Sequence, residues 1–347
     1  MVSEPVLSVK DLRTHFHTDR GVVRAVDGVS FDVHPGEVVG IVGESGSGKS
    51  VTAMTILGLV PTPPGKIESG QILWKGKDLL TATAAELRAI RGRQIAMIFQ
   101  DPMSSLNPVY TIGNQIEEMV HVHQNLSKRA ARTKAIDMLA LVGIPRPADR
   151  VDDYPHQFSG GMRQRAMIAM ALSCEPELLI CDEPTTALDV TVQAQVLEVI
   201  QNSARELGAS ILLITHDLGV VAGMTDRVLV MYGGQIVEQA QVDDLFYSAQ
   251  MPYTWGLLSS IPRVDDAIGR RLVPIPGAPP LMSRPPAGCR FSPRCAHASK
   301  ALCTTAIPDL VQIEGAGDNH FARCVRLSEP GFAANAPVFS AASGVSE

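Results

Sequence analysis

The chain has 347 residues, of which 45% are hydrophobic, 19% charged and 5% aromatic, with a formal net charge of −6. That length allows two or three domains with ample core, and the acidic balance argues against a general nucleic-acid binder. There is no run of about 18 apolar residues to span a membrane and no secretion signal in the opening residues, so the expected setting is the cytosol, where disulfides are rare.

From the N-terminus, residues 6–9 and 25–33 have the alternation of half-buried strands. Asp19-Arg20-Gly21 reads as a turn between them, and Phe16 just before it reads as an ordinary core aromatic. Residues 37–42 form a buried strand. Then comes Gly43-Glu44-Ser45-Gly46-Ser47-Gly48-Lys49-Ser50, a G-x-x-x-x-G-K-S phosphate loop, with a helix over 51–59 after it. The glycines let the backbone wrap a polyphosphate without a Cβ in the way. The loop N–H groups and the helix N-terminus face the same negative charge. In this pattern Lys49 reaches the β- and γ-phosphates and the Ser50 hydroxyl ligates Mg²⁺. Proline-rich residues 61–65 end the helix. Residues 71–74 and 93–99 are further strands, with Gln100 at the end of the second.

Residues 101–176 change character. Residues 101–108 are loop chemistry, and helical patterns follow at 111–123, 128–143 and 160–173 without a clear strand. The interval reads as a helical subdomain inserted into an α/β core. Ser159-Gly160-Gly161 opens its last helix and could receive an anion; taken alone it is a plain N-cap with flexible glycines. Residues 178–183 form an apolar strand ending in Asp182 and Glu183. Beside a phosphate loop, Asp182 holds Mg²⁺ and Glu183 points at the attacking water. A helix over 190–207 carries Val192, Val196, Val199 and Ile200 on one face. Residues 211–215 are a buried strand with His216 at its carboxyl end, where ligands collect in α/β sheets. Residues 227–232 and 235–238, joined by Gly233-Gly234, read as a hairpin.

After about residue 240 the composition shifts. A short helix opens at 252–258, and six prolines within 274–288 exclude regular structure there. Cys289, Cys295, Cys303 and Cys324 follow, with five, seven and twenty residues between them. Four thiolates can hold zinc or an iron–sulfur cluster. Zinc ribbons favour pairs two to four residues apart, which do not occur here. Cys174 and Cys181 read as buried packing residues, and residues 328–347 as a mobile tail.

Five elements now stand in order: Gly43 to Ser50, Gln100, Ser159 to Met162, Leu178 to Glu183, and His216. This order resembles the ATPase subunits of ABC transporters, over about residues 5–325, and the Ser-Gly-Gly signature is its telling piece. Phe158 and Met162 stand where many members have Leu and Gln, a change confined to flanking contacts. Residues 100–108, 252–258 and the cysteine-rich tail resemble the peptide-importer branch, the oligopeptide and dipeptide permease ATPases. Nickel and glutathione importers share these features.

The resemblance implies an α/β fold: a P-loop NTPase core of the ABC ATPase type, with an N-terminal antiparallel β subdomain, an inserted helical subdomain and a small Cys-rich C-terminal extension. The ATPase domain would span 1–240 and the extension 241–347. Two such ATPases would pack head to tail, in this branch as a heterodimer with a different chain. Each ATP would lie between one subunit's phosphate loop, Gly43 to Val51, and the other's Ser159-Gly160-Gly161. Phe16 would stack on adenine, Gln100 would contact Mg²⁺, Glu183 would polarise water, His216 would hydrogen-bond the γ-phosphate, and Asp189 would bridge to the partner's site. Cysteine tails of this branch are associated with a four-iron, four-sulfur (4Fe–4S) cluster, with zinc as the alternative. The implied role is ATP-driven peptide uptake from the cytoplasmic face of the membrane, as a peripheral subunit. The implied partners are two permeases, a second ATPase and, through the permeases, an extracytoplasmic binding protein, with no nucleic acid. The rival readings are nickel or glutathione import, a non-transport ATPase of the same superfamily, and a redox sensor with the cysteines as its output.

Overall fold

The computed structural model describes residues 4–100, 105–186, 189–260, 274–315, 317 and 319–336. Two sheets organise it. The first is antiparallel, in the order β2-β1-β4-β5, built from β1 (Leu7–Thr18), β2 (Gly21–Val33), β4 (Gly65–Trp74) and β5 (Lys77–Asp78). The second is mixed and runs β11-β12-β10-β9-β3-β8-β7-β6. Its parallel part comprises β3 (Val38–Val42), β6 (Ile95–Ile98), β7 (Leu178–Asp182), β8 (Ser210–Thr215) and β9 (Arg227–Tyr232). β10 (Gln235–Gln241), β11 (Val311–Gln312) and β12 (Phe321–Ala322) add antiparallel pairs at one edge. Strands β7, β8 and β9 are buried along their whole length. That is why they read as unbroken apolar runs, covered on both faces.

Register decides where the chemistry sits. Val42 pairs with Thr215, Asp182 with Ile214, and Ile98 with Cys181. The parallel strands therefore stop together, and the residues that follow them emerge in one row. That row holds Gly43 after β3, Gln100 near the end of β6, Glu183 after β7 and His216 after β8. Such a crevice beyond the carboxyl ends is where open α/β sheets bind ligands.

The helices at Ile112–Gln124, Lys128–Leu141 and Gly160–Leu172 fall where the sequence places them. They share one apolar core with the sheet: Ile116, Leu139 and Ile168 belong with Ile98, Leu179 and Leu213. Val196 and Ile200 are buried on the same face of the helix Val190–Leu207. Cys174 and Cys181 are buried packing residues. The antiparallel sheet packs Leu7, Leu12 and Ile72 against Ile41 and Ile214 from the other side.

Several boundaries depart from expectation. The helix after the phosphate loop starts at Lys49 rather than 51, and β4 starts at Gly65 rather than 71. The helix Ala84–Ile90 was not foreseen, although Thr83 and Glu86 form a reciprocal capping box around its start. Within the tail expected from residue 328, Phe332 is buried against Trp255 and beneath the Arg326 guanidinium. Residues 337–347 of that tail, and 101–104 of the loop after Gln100, lie outside the described residues. Beyond β10, the helix Pro252–Ser259 and the strands β11 and β12 close on the sheet edge. Tyr232, Tyr253 and Phe291 form an aromatic trio there, with ring centroids 4.5 to 5.3 Å apart.

Candidate functional site

The loop after β3 is compressed enough to require glycine at two points. A Cβ on Gly43 would lie 2.1 Å from the Met231 carbonyl oxygen, and one on Gly48 2.3 Å from that of Ala25. Gly48 also has φ 108°, a region L side chains rarely adopt. Within the loop the Lys49 ammonium is buried and donates to the Gly43 carbonyl at 2.8 Å and that of Glu44 at 3.2 Å. Burial pushes its pKa below the ordinary lysine value, against the opposing charges of Glu183, Asp182 and Glu44. Ser47 Oγ is buried without a hydrogen-bond partner among the described residues, a polar atom left for something the loop would hold.

Ser50 Oγ donates to Asp182 Oδ1 at 2.9 Å, which brings the end of β7 to the start of the loop's helix. Burial raises the Asp182 pKa; the Ser50 bond and Lys49 oppose this, and the Glu183 charge adds to it. Glu183 has φ 46°, in the left-handed region, an uncommon conformation for a residue with a side chain. Its Oε1 stands 3.9 Å from Lys49 Nζ. Its Oε2 accepts from Thr186 Oγ1 at 3.1 Å and Gln100 Nε2 at 3.3 Å, and lies 3.3 Å from His216 Nδ1. Lys49, Ser50, Gln100, Asp182, Glu183 and His216 are thus one connected group.

Other expected site residues stand apart from that group. Ser159 and Asp189 cap their own helices, accepting from the N–H groups of Met162 and Val192 at 3.3 and 3.0 Å. Gly160 is exposed, and a Cβ there would meet nothing within 4 Å among the described residues, whose packing does not require glycine at that position. A Cβ on Gly161 would approach Val192 to 3.1 Å. Phe16 is not the core aromatic that its sequence context suggests: it is half-buried on β1 opposite Gly65. Ser45, Gly46 and Val51 complete the loop region without being buried.

Four residues enter that sequence reasoning missed. Thr186 holds Glu183. Gln164, buried in the helix after the signature, donates to the Pro184 carbonyl in the turn beyond Glu183. Tyr253 OH accepts from the Glu44 N–H at 2.9 Å, and Arg294 pairs with the Glu44 carboxylate. Only Gln164 left a signal, as a polar residue one turn before Met167 and Ile168 on the same helical face.

Cys289, Cys295, Cys303 and Cys324 are free thiols that line one small cavity. Burial raises the thiol pKa at Cys289, to about 11 at Cys295 and to about 12 at Cys324. Among the described residues, however, no group of three or more His, Cys, Asp or Glu is placed to hold a metal ion. The four thiols share a cavity without forming a finished ligand set for the expected cluster or zinc.

Residues 26–186 match the ABC transporter family, and residues 237–303 match the oligopeptide/dipeptide transporter C-terminal region. The oligopeptide transport ATP-binding protein OppD of Bacillus subtilis is 53% identical, over 85% of this chain and 82% of its own length. The dipeptide transport ATP-binding protein DppD of the same organism is 54% identical, over 88% of this chain and 90% of its own. Among solved structures, a dimeric ATP-binding cassette in a post-hydrolysis state with ADP and Pi superimposes with a TM-score of 0.61. It is 25% identical and covers 68% of this chain and 98% of its own. The chain belongs to the ABC transporter ATPases, in the family of oligopeptide and dipeptide transport ATP-binding proteins.

Proposed function

We propose that this chain is the ATP-hydrolysing subunit of an importer for di- and oligopeptides. The observation that carries the reading is the single row of strand ends joining Lys49, Ser50, Asp182, Glu183, Gln100 and His216. The similarity to OppD and DppD supports peptide as the cargo. Nickel or glutathione as cargo is an outcome the transport assay below distinguishes.

The chemistry follows from the residues. The loop from Gly43 to Val51 presents N–H groups, the Ser47 hydroxyl and the Lys49 ammonium to the β- and γ-phosphates. Ser50, Asp182 and Gln100 offer hard oxygen donors suited to Mg²⁺. That ion, when bound, screens the charge of the phosphates. Glu183, held by Thr186 and Gln100, takes the proton of the attacking water, while His216 hydrogen-bonds the γ-phosphate. Phe16 stacks on adenine. Ser159, Gly160, Gly161 and Asp189 lie outside the connected group, and Gly160 has room above it. Both facts support a second, homologous ATPase facing them, so that each site is completed across a heterodimer.

The partners in this reading are two permeases, with an extracytoplasmic binding protein acting through them, and no nucleic acid. No helix among the described residues is long and apolar enough to cross a membrane. The position proposed, which follows from the importer reading, is peripheral on the cytoplasmic face. The division into an ATPase domain at 1–240 and a Cys-rich extension at 241–347 belongs to the same reading. So does a 4Fe–4S cluster, with zinc the alternative, on Cys289, Cys295, Cys303 and Cys324. Four soft thiols around one cavity suit such a group chemically. The test of function is ATP-dependent accumulation of labelled trialanine in vesicles containing the assembled transporter. Accumulation is expected; accumulation of nickel or glutathione instead would overturn the assignment of cargo.

A further inference from the structure

Glu44 puts a carboxylate at the second position of a loop whose other groups are arranged for anions. The residue bears on Lys49 twice: its backbone carbonyl accepts from Lys49 Nζ, and the charge of its carboxylate opposes the lowering of the lysine pKa. An unpaired acid there would repel the phosphates the loop collects. Glu44 is not unpaired. Arg294, from the segment between Cys289 and Cys295, meets its carboxylate through two bonds, Nη1 to Oε2 at 2.5 Å and Nη2 to Oε1 at 3.0 Å. The guanidinium is buried, and its remaining donors are spent on Tyr232 OH and on the carbonyls of Ile275 and Pro276. A planar fork held on all sides fixes the carboxylate in one place.

We propose that Arg294 is a positioning and charge-compensating residue of the nucleotide site, acting through Glu44. The C-terminal region thereby sets how tightly the phosphate loop binds ATP. This rests on reading residues 43–50 as the nucleotide loop. Removing the guanidinium frees a negative charge beside the bound phosphates, and removing the Glu44 charge as well cancels that loss. A side chain that merely stabilised the fold would show no such cancellation.

The experiment is calorimetric titration of the full-length chain with MgADP. Arg294→Met is expected to weaken binding about tenfold, the loss of one charged pair. Arg294→Met with Glu44→Gln should recover most of that loss. In the assembled transporter the Arg294→Met effect should fall on KM for ATP rather than on kcat. Glu44→Gln alone leaves the Arg294 charge unopposed and should bind MgADP more tightly than the unaltered chain. This last variant removes the charge but keeps a side-chain oxygen that can accept from Arg294, so it decides the matter even if Arg294→Met fails to fold. Weaker or equal binding by Glu44→Gln, or a double variant no better than Arg294→Met, overturns the proposal. Failure of the unaltered chain to bind MgADP would instead overturn the reading of the loop.

Discussion

Ser50 Oγ donates a 2.9 Å hydrogen bond to Asp182 Oδ1, joining residues 132 positions apart in the chain. The hydroxyl opens the helix after the phosphate loop, and the acid closes β7. Two hard oxygens at this distance are what an Mg²⁺ ion between loop and sheet needs. Ser50→Ala removes one of them and leaves the buried Asp182 without its hydroxyl. The Mg²⁺ concentration for half-maximal ATPase activity of the assembled transporter should rise about tenfold. A Mg²⁺ titration checks this, and an unchanged midpoint would remove Ser50 from the metal site.

Asp27 is a second long-range junction. It sits on β2, buried, and receives Arg13 Nη1 at 2.6 Å together with Arg290 from the far C-terminal region. Burial alone would raise its carboxyl pKa, but the guanidinium groups of Arg290 and Arg13 outweigh burial and hold it below the ordinary value. The folded pKa lies below the unfolded one, which is about 3.9. The stabilisation is thus fully present above that pH and is lost as the pH falls through the folded value. Asp27→Asn strands the buried Arg290 and should cost about 3 kcal/mol in urea unfolding at pH 7. The gap between Asp27→Asn and the unaltered chain should narrow below about pH 4. A gap independent of pH would contradict the ion-pair account.

The phosphate loop, the buried parallel strands and the hairpin at 227–238 are legible in the sequence because their signals are local. Glycine spacing marks the loop, and unbroken apolar runs mark strands covered on both faces. Strand order then brings Gln100 and His216 to Glu183, which faces Lys49. Arg290 and Arg294 are not legible. Their partners Asp27 and Glu44 lie 263 and 250 residues away, and an ion pair at that separation leaves no periodic trace. The start of β4 at Gly65 is hidden because it follows directly on a proline-rich turn. The helix Ala84–Ile90 is short, with only Ile90 buried, so its capping box stands without an apolar stripe behind it.

The cysteine cavity gives a prediction independent of turnover. Anaerobic purification of the full chain should yield about four iron and four acid-labile sulfide per chain, as a 4Fe–4S cluster requires. Removing the iron with a chelator should lower the unfolding temperature, because Cys289 and Cys295 flank the segment that packs Phe291 against Tyr232 and Tyr253. Stoichiometric zinc without sulfide would replace the cluster by zinc. A metal-free chain with four titratable thiols in this region would exclude both.

The central claim is that Glu183 activates water for ATP hydrolysis at a site shared with a second ATPase. The most direct test is the ATPase rate of the reconstituted transporter carrying Glu183→Gln, with the partner subunit's own site silenced. The amide preserves the bonds that Thr186 and Gln100 can make but cannot take a proton. The account predicts that nucleotide binding is retained while turnover falls about 10²- to 10⁴-fold, the usual worth of a general base. Hydrolysis within a few-fold of the unaltered transporter would contradict it.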